Sequence, residues 1–185
     1  PGRTLADQLP TENPEEPLFA TLTERENSMR TIPRQTIVDT VASMCMAAGR
    51  YLPDDVLDAL AKAEKGESLE SARGILAQLV DNAALSSKTG LPLCQDCGLG
   101  VFFVEAGEDV RVEGGTLREA INAGMIQGYK DGFLRKSTCD PFTRQNVGDN
   151  SPAIIHFDLV PGDKIKITMM AKGGGSENMS RVTML

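Results

Sequence analysis

The sequence predicts an α+β fold, with an N-terminal helical bundle followed by a mixed domain that carries a β-hairpin and a long helix. Three observations carry this. Apolar residues recur at helical spacing through residues 34–85, the period changes to strand-like runs after residue 99, and glycines gather at the joints between these segments. Helices first and strands later fit an α+β chain better than a βαβ repeat.

Residues 1–28 are rich in proline and glutamate, without periodicity, and read as a flexible tail. Met29 is a candidate natural start, which would make the preceding stretch an appendage. The rest, 29–185, is read as one unit made of a helical lead-in (29–85) and a mixed α/β part (86–185). In the lead-in, Ile37, Val38, Val41, Met44, Cys45 and Ala48 mark a first helix that Gly49 closes. The stretch "PDDVLDALAKAEK" (53–65) opens with proline and two acids, as a helix N-terminus prefers. Ile75, Leu76, Leu79 and Val80 mark a third helix over 68–85. "GVFFVEAG" (100–107) reads as a strand. "GGTLREAINAGMIQGYKDGFLRKS" (114–137) opens on a Thr116–Glu119 capping box and is expected to stay helical past Arg135. "PAIIHFDLV" (152–160) and "KIKITMMA" (164–171) flank a short "PGD" turn and read as the two arms of a hairpin.

Among 185 residues, 26 acids outnumber 19 lysines and arginines, for a formal charge of −7. Such a surface repels phosphate backbones, so neither nucleic acid nor an anionic membrane is an expected partner. No apolar run approaches the roughly 20 residues of a membrane span, and no signal-peptide h-region is visible, so a cytoplasmic location is expected.

Two loops carry the chemistry. "LPLCQDCGLG" (91–100) holds a Cys-x-x-Cys pair, Cys94 and Cys97, and the other candidate ligands are Cys45, Cys139 and the single histidine, His156. None of these stands at zinc-finger spacing. A thioredoxin-like dithiol would follow a strand, whereas this pair precedes one. Two small residues in a turn remain a plain alternative. The second loop, "AKGGGSENMS" (171–180), has the backbone freedom to form an anion-binding nest, but its Lys172 precedes the glycines, unlike a P-loop.

Taken together, "LPLCQDCG", "FLRKS" (133–137), "IHFDLVPGDKIKI" and "KGGGSENMS" resemble the class I fumarase family of iron–sulfur hydro-lyases, over roughly residues 31–185. That family includes two-subunit fumarate and tartrate dehydratases, and the chain is similar to the N-terminal part of their α subunit. The resemblance implies reversible hydration or dehydration of a small dicarboxylate, most simply fumarate to L-malate. Tartrate dehydratase is the alternative, as is a non-catalytic, cluster-free domain of the same fold. It implies a [4Fe–4S] cluster held by three cysteines with one iron open to substrate, Cys94 being the first ligand. The other two are expected beyond Leu185, so these residues alone are expected to lack a cluster and to be inactive. The implied partners are a C-terminal remainder of the subunit and a β subunit or domain, in a homo- or hetero-oligomer.

The same resemblance places Gln95 and Asp96 at the substrate, with Asp96 near the leaving hydroxyl, and makes Arg135 a clamp on a substrate carboxylate. Gly174 and Gly175 would offer backbone amides, with Gly175 the stronger candidate. Asp96 and Arg135 are the implied catalytic pair; the base is not identified. Cys97 stands where the family has threonine and reads as a small replacement rather than a second ligand. Plain structural readings stand beside these: an Asx-type turn for Gln95 and Asp96, and helix C-terminal charges for Arg135 and Lys136. Glu177 and Asn178 are read as loop-fixing, His156 as a strand residue outside the site, Cys45 as core and Cys139 as a loop thiol.

Overall fold

The computed structural model describes residues 29–175 and 181–184; the tail predicted for residues 1–28, and Glu177 and Asn178, lie outside the described residues. Nine elements follow in order: β1 (Arg30–Pro33), α1 (Arg34–Ala48), α2 (Asp54–Gly66), α3 (Glu70–Thr89), β2 (Leu99–Gly107), β3 (Val110–Glu113), α4 (Leu117–Asp131), β4 (Ile154–Val160) and β5 (Ile165–Lys172). The α+β class is as the sequence predicts.

Local signals set most boundaries. Gly49 caps α1, donating its backbone N–H to Cys45 O. The capping box at α4 is complete: Thr116 Oγ1 accepts from the Glu119 amide at 3.2 Å, and Glu119 Oε2 accepts from the Thr116 amide at 3.0 Å.

Two expectations are corrected. The strands β4 and β5 do not form a hairpin, because β2 lies between them in a three-stranded sheet of order β4-β2-β5. β2 runs parallel to β4 (Val101 opposite Ile154) and antiparallel to β5 (Leu99 opposite Lys172). The connection 161–164 instead bonds the far end of β2: Gly107 N donates to Lys164 O, Glu108 N to Val160 O and Asp109 N to Gly162 O. Placing β2 centrally satisfies both backbone edges of its buried run Val101, Phe102 and Val104. A second, two-stranded sheet pairs β1 with β3 in parallel.

The other correction concerns the helices. α1 packs chiefly on α4, and α2 and α3 pack on each other, so the three N-terminal helices do not share one bundle. The physical reason is a stripe of small residues on α4. A Cβ on Gly124 would stand 2.6 Å from Val38 O, and one on Gly128 would stand 2.8 Å from the Cα of Ala42. Only glycine allows the two backbones so close, and the apolar face of α1 seats there with Ile121, Met125 and Tyr129 around Cys45, over Phe102 and Val104 of the sheet. No residue of α2 is buried, and the pair α2–α3 is held to the body by Ser86 Oγ, which donates to Arg50 O or Leu91 O, and by Asn82 Nδ2 on Leu93 O.

Gly128→Ala is therefore expected to destabilise the fold by about 1–3 kcal/mol, the usual penalty for overpacking. A thermal melt should show the midpoint lower by roughly 2–12 °C. An unchanged midpoint would mean that the helices part without loss.

Candidate active site

The sheet register explains which loops meet. Because Leu99 lies opposite Lys172, the turn that enters β2 (94–98) sits beside the segment that leaves β5 (173–175). β4 runs parallel to β2, so its entry (149–153) reaches the same end. The C-terminal part of α4 arrives there too, since Tyr129 donates its hydroxyl to Cys97 O at 3.3 Å. Burial pushes the Tyr129 phenol well above its ordinary range, which keeps it a donor.

Cys94, Gln95, Phe133 and Arg135 line one shallow cleft of about 330 Å3. Behind it, Cys94 and Cys97 line a second cavity of about 300 Å3, walled by Leu60 of α2, Leu79 and Asn82 of α3, and Leu93. Cys94 thus opens on both. Its Sγ accepts from the Asp96 amide at 3.2 Å. Burial, followed by the hydrogen bond and charge of Cys94 and the charge of Asp96, pushes the Cys97 thiol up to about 11.

Asp96 turns toward the glycine triplet, and its Oδ2 accepts from the Gly175 amide at 2.8 Å. A Cβ on Gly173 would stand 2.6 Å from the same oxygen. The carboxylate therefore lies directly on Gly173, an approach that a side chain there would block, whereas a Cβ on Gly174 would meet open space. Gly174 is exposed on that loop.

Arg135 requires a correction. α4 ends at Asp131, and Gly132 and Phe133 (φ 52°) turn the chain so that Leu134 is buried against the core. Arg135 and Lys136 follow in a loop, so neither is a helix-terminal charge. Arg135 Nε donates to Ser137 Oγ at 3.0 Å, and its exposed guanidinium faces the cleft shared with Cys94 and Gln95.

Sequence reasoning missed Asn150. It is 2% exposed, and its Nδ2 donates to Gly98 O and, at 2.8 Å, to Arg135 O. One amide thus ties the turn after Cys94 to the loop carrying Arg135. Gly98 is needed for this approach, since a Cβ there would collide with the Ser137 side chain and lie 2.9 Å from Arg135 O. Nothing in "VGDNSP" separates Asn150 from an ordinary turn residue; a buried donor bridging segments 52 and 15 residues away is visible only in three dimensions. Removing the amide strands the buried carbonyl of Gly98 and the part-buried carbonyl of Arg135, so Asn150→Ala is expected to lose about 1–3 kcal/mol of stability. Chemical denaturation measures this, and a loss below the resolution of the melt would show that water replaces both bonds.

The remaining candidates lie elsewhere. Cys45 is fully buried in the core, where desolvation pushes its thiol up to about 12. Cys139 is exposed and bridges Asn146. His156 stacks on Phe103, ring centroids 4.9 Å apart, on the sheet face opposite the core. Among the described residues no three of the His, Cys, Asp and Glu side chains converge as a metal centre, and no helix is long and apolar enough to cross a membrane.

A model of the fumarate hydratase (fumerase) family matches residues 38–185. The chain belongs to this family. It is 37% identical over 155 residues to a putative L(+)-tartrate dehydratase subunit alpha of Methanocaldococcus jannaschii, covering 80% of this chain and 54% of the relative. A putative class I fumarate hydratase of Geobacillus stearothermophilus is 28% identical over 148 residues, covering 78% of this chain and 28% of that protein. The anaerobic class I fumarate hydratase of Escherichia coli K12 is 34% identical over 115 residues, 60% of this chain and 21% of the relative. The chain thus spans about half the length of the archaeal relative and under a third of the other two.

Proposed function

We propose that the chain forms the N-terminal part of the α subunit of an iron–sulfur hydro-lyase that interconverts fumarate and L-malate. The observation that carries this reading is the meeting of Cys94, Gln95 and Arg135 in one cleft, with Asp96 and Gly175 bonded beside it, in a chain of the fumarate hydratase family.

The donor chemistry suits one corner of a [4Fe–4S] cluster. Cys94 offers a half-buried thiol at the mouth of the cleft with a backbone N–H already on its sulfur, the kind of bond that tunes thiolate ligands. Cys94 is one ligand only, and on this reading the remaining thiolates belong to other parts of the complete enzyme. When bound, the cluster supplies a Lewis-acidic iron to assist departure of hydroxide.

The chain's own residues do the rest. Arg135 clamps a carboxylate with its planar guanidinium, held in place by Ser137 at Nε and by Asn150 at its carbonyl. Gln95 hydrogen-bonds the substrate through its amide, and Asp96 lies near the leaving hydroxyl. Gly174 and Gly175 offer backbone N–H groups to substrate. The Gly175 amide here holds the Asp96 carboxylate, so a substrate carboxylate would displace Asp96 from it and release that side chain toward the hydroxyl. The subunit acts with a β subunit or domain, as the designation of the archaeal relative as subunit alpha suggests.

Tartrate dehydration is the second reading, favoured by the 37% identity to the protein named for it. The test is anaerobic reconstitution of the intact protein with iron and sulfide, followed by assays with fumarate, L-malate and L(+)-tartrate. Turnover of fumarate supports the main reading and turnover of tartrate alone supports the second. Stoichiometric zinc with no visible chromophore and no turnover would sink both.

A further inference from the structure

We propose that Cys94 and Cys97 close a reversible disulfide, which makes the turn before β2 a redox-sensitive lock on the candidate site. Bond formation depends only on the two thiols; its consequence for cluster loading rests on the hydro-lyase reading.

Geometry selects this pair. Both thiols are free and partly exposed, they stand three residues apart in one turn, and both line the same cavity of about 300 Å3. The other two thiols are placed elsewhere: Cys45 is sealed in the core, and Cys139 sits on a loop that pairs with Asn146. The turn can also close without disturbing the sheet. The ladder between β2 and β5 begins at Leu99, after the second cysteine, and the turn is held from outside at carbonyls: Leu93 O by Asn82, Cys97 O by Tyr129 and Gly98 O by Asn150. The two side chains can therefore rotate together while the backbone stays tied.

Hydrogen peroxide is the oxidant, and access decides the order. Cys94 lines the open cleft as well as the cavity, whereas Cys97 lines the cavity. Cys94 reacts first: its sulfur gives two electrons to peroxide, the O–O bond breaks, and Cys94 sulfenic acid and one water form. The Cys97 sulfur then attacks that of Cys94. The S–O bond breaks, the S–S bond forms, and the oxygen leaves as a second water with the Cys97 proton. A dithiol reductant restores both thiols by exchange through a mixed disulfide. In the locked state Cys94 has no thiolate to offer a metal, and it is also shielded from oxidation to the sulfinic and sulfonic acids, which dithiols do not reverse.

The test uses the intact protein stripped of metal by a chelator, titrated with hydrogen peroxide and digested with trypsin. Residues 89–111, which contain both cysteines, form one peptide. We expect this peptide to lose two hydrogens, to resist alkylation, and to regain both on treatment with dithiothreitol. In Cys97→Thr the same dose is expected to carry Cys94 to acids that dithiothreitol does not recover. Cluster loading, followed by visible absorbance, is expected to fail in oxidised wild type and to return after reduction. Cys94 overoxidised while Cys97 remains alkylatable, a cross-link to Cys139 or to a second chain, or full recovery of Cys94 in Cys97→Thr would each overturn the proposal. If the peptide closes and reopens but no cluster ever forms, the disulfide stands and the hydro-lyase reading falls; if a cluster forms but the peptide never closes, the disulfide falls alone.

Discussion

Cys94→Ser in the intact protein is expected to abolish cluster loading and turnover together, while Cys97→Thr keeps both. A serine hydroxyl is a poor ligand for a soft iron–sulfur centre. Disturbing the groups around a metal ligand already lowers affinity roughly 10–100-fold, and loss of the ligand itself should exceed that. Cys97 lines the second cavity and not the cleft, with its carbonyl held by Tyr129, so a side chain of similar size fits without changing the cleft. Iron and sulfide content with visible absorbance provides the measurement. Equal loss in both variants would make Cys97 a second ligand.

Arg135→Met should chiefly weaken substrate binding, by about 2–4 kcal/mol, because a substrate carboxylate would be left without its bidentate partner. That corresponds to a rise in KM of roughly 30- to 1000-fold. The backbone around Arg135 is tied by Asn150 to its carbonyl rather than to its side chain, so methionine should leave the loop in place. A melt matching wild type with a raised KM supports the clamp. An unchanged KM would remove Arg135 from the site.

What could be read from the sequence was what local chemistry dictates. Gly49 ended the first helix and Thr116 with Glu119 began the fourth because capping satisfies groups within four residues. The hairpin expectation failed for the opposite reason. "PGD" between two apolar runs is a sound turn signal, but the chain partner of a strand is decided by distant groups, here the amides of 107–109 bonding the turn from across the sheet. The pairing of α1 with α4 had a signal that was not used: Gly124 and Gly128, four apart, mark a face for close helix approach. The end of α4 was overrun because "DGFLRKS" offers only one glycine and no proline, and the left-handed Phe133 is dictated by the burial of Leu134. The family resemblance put Cys94, Gln95, Asp96 and Arg135 forward as candidates, whereas their placement at one sheet end, with Asn150 between them, came from register and packing.

The central position of β2 also shapes how the protein must be made. Both of its hydrogen-bonding partners lie downstream, and the second is complete only at Lys172, 65 residues after Gly107. At roughly 5–20 residues per second, a ribosome needs about 3–13 s to supply that stretch. During this interval "GVFFV" has left the exit tunnel, or is leaving it, with both edges unpaired, a template for pairing with another nascent chain. Helix α4, whose Met125 lies against Gly100, also comes later, and helices shield faces and not edges. Slow decoding between residues 108 and 154 would lengthen the exposed period, and expression yield should be more sensitive to codon choice there than anywhere upstream of β2.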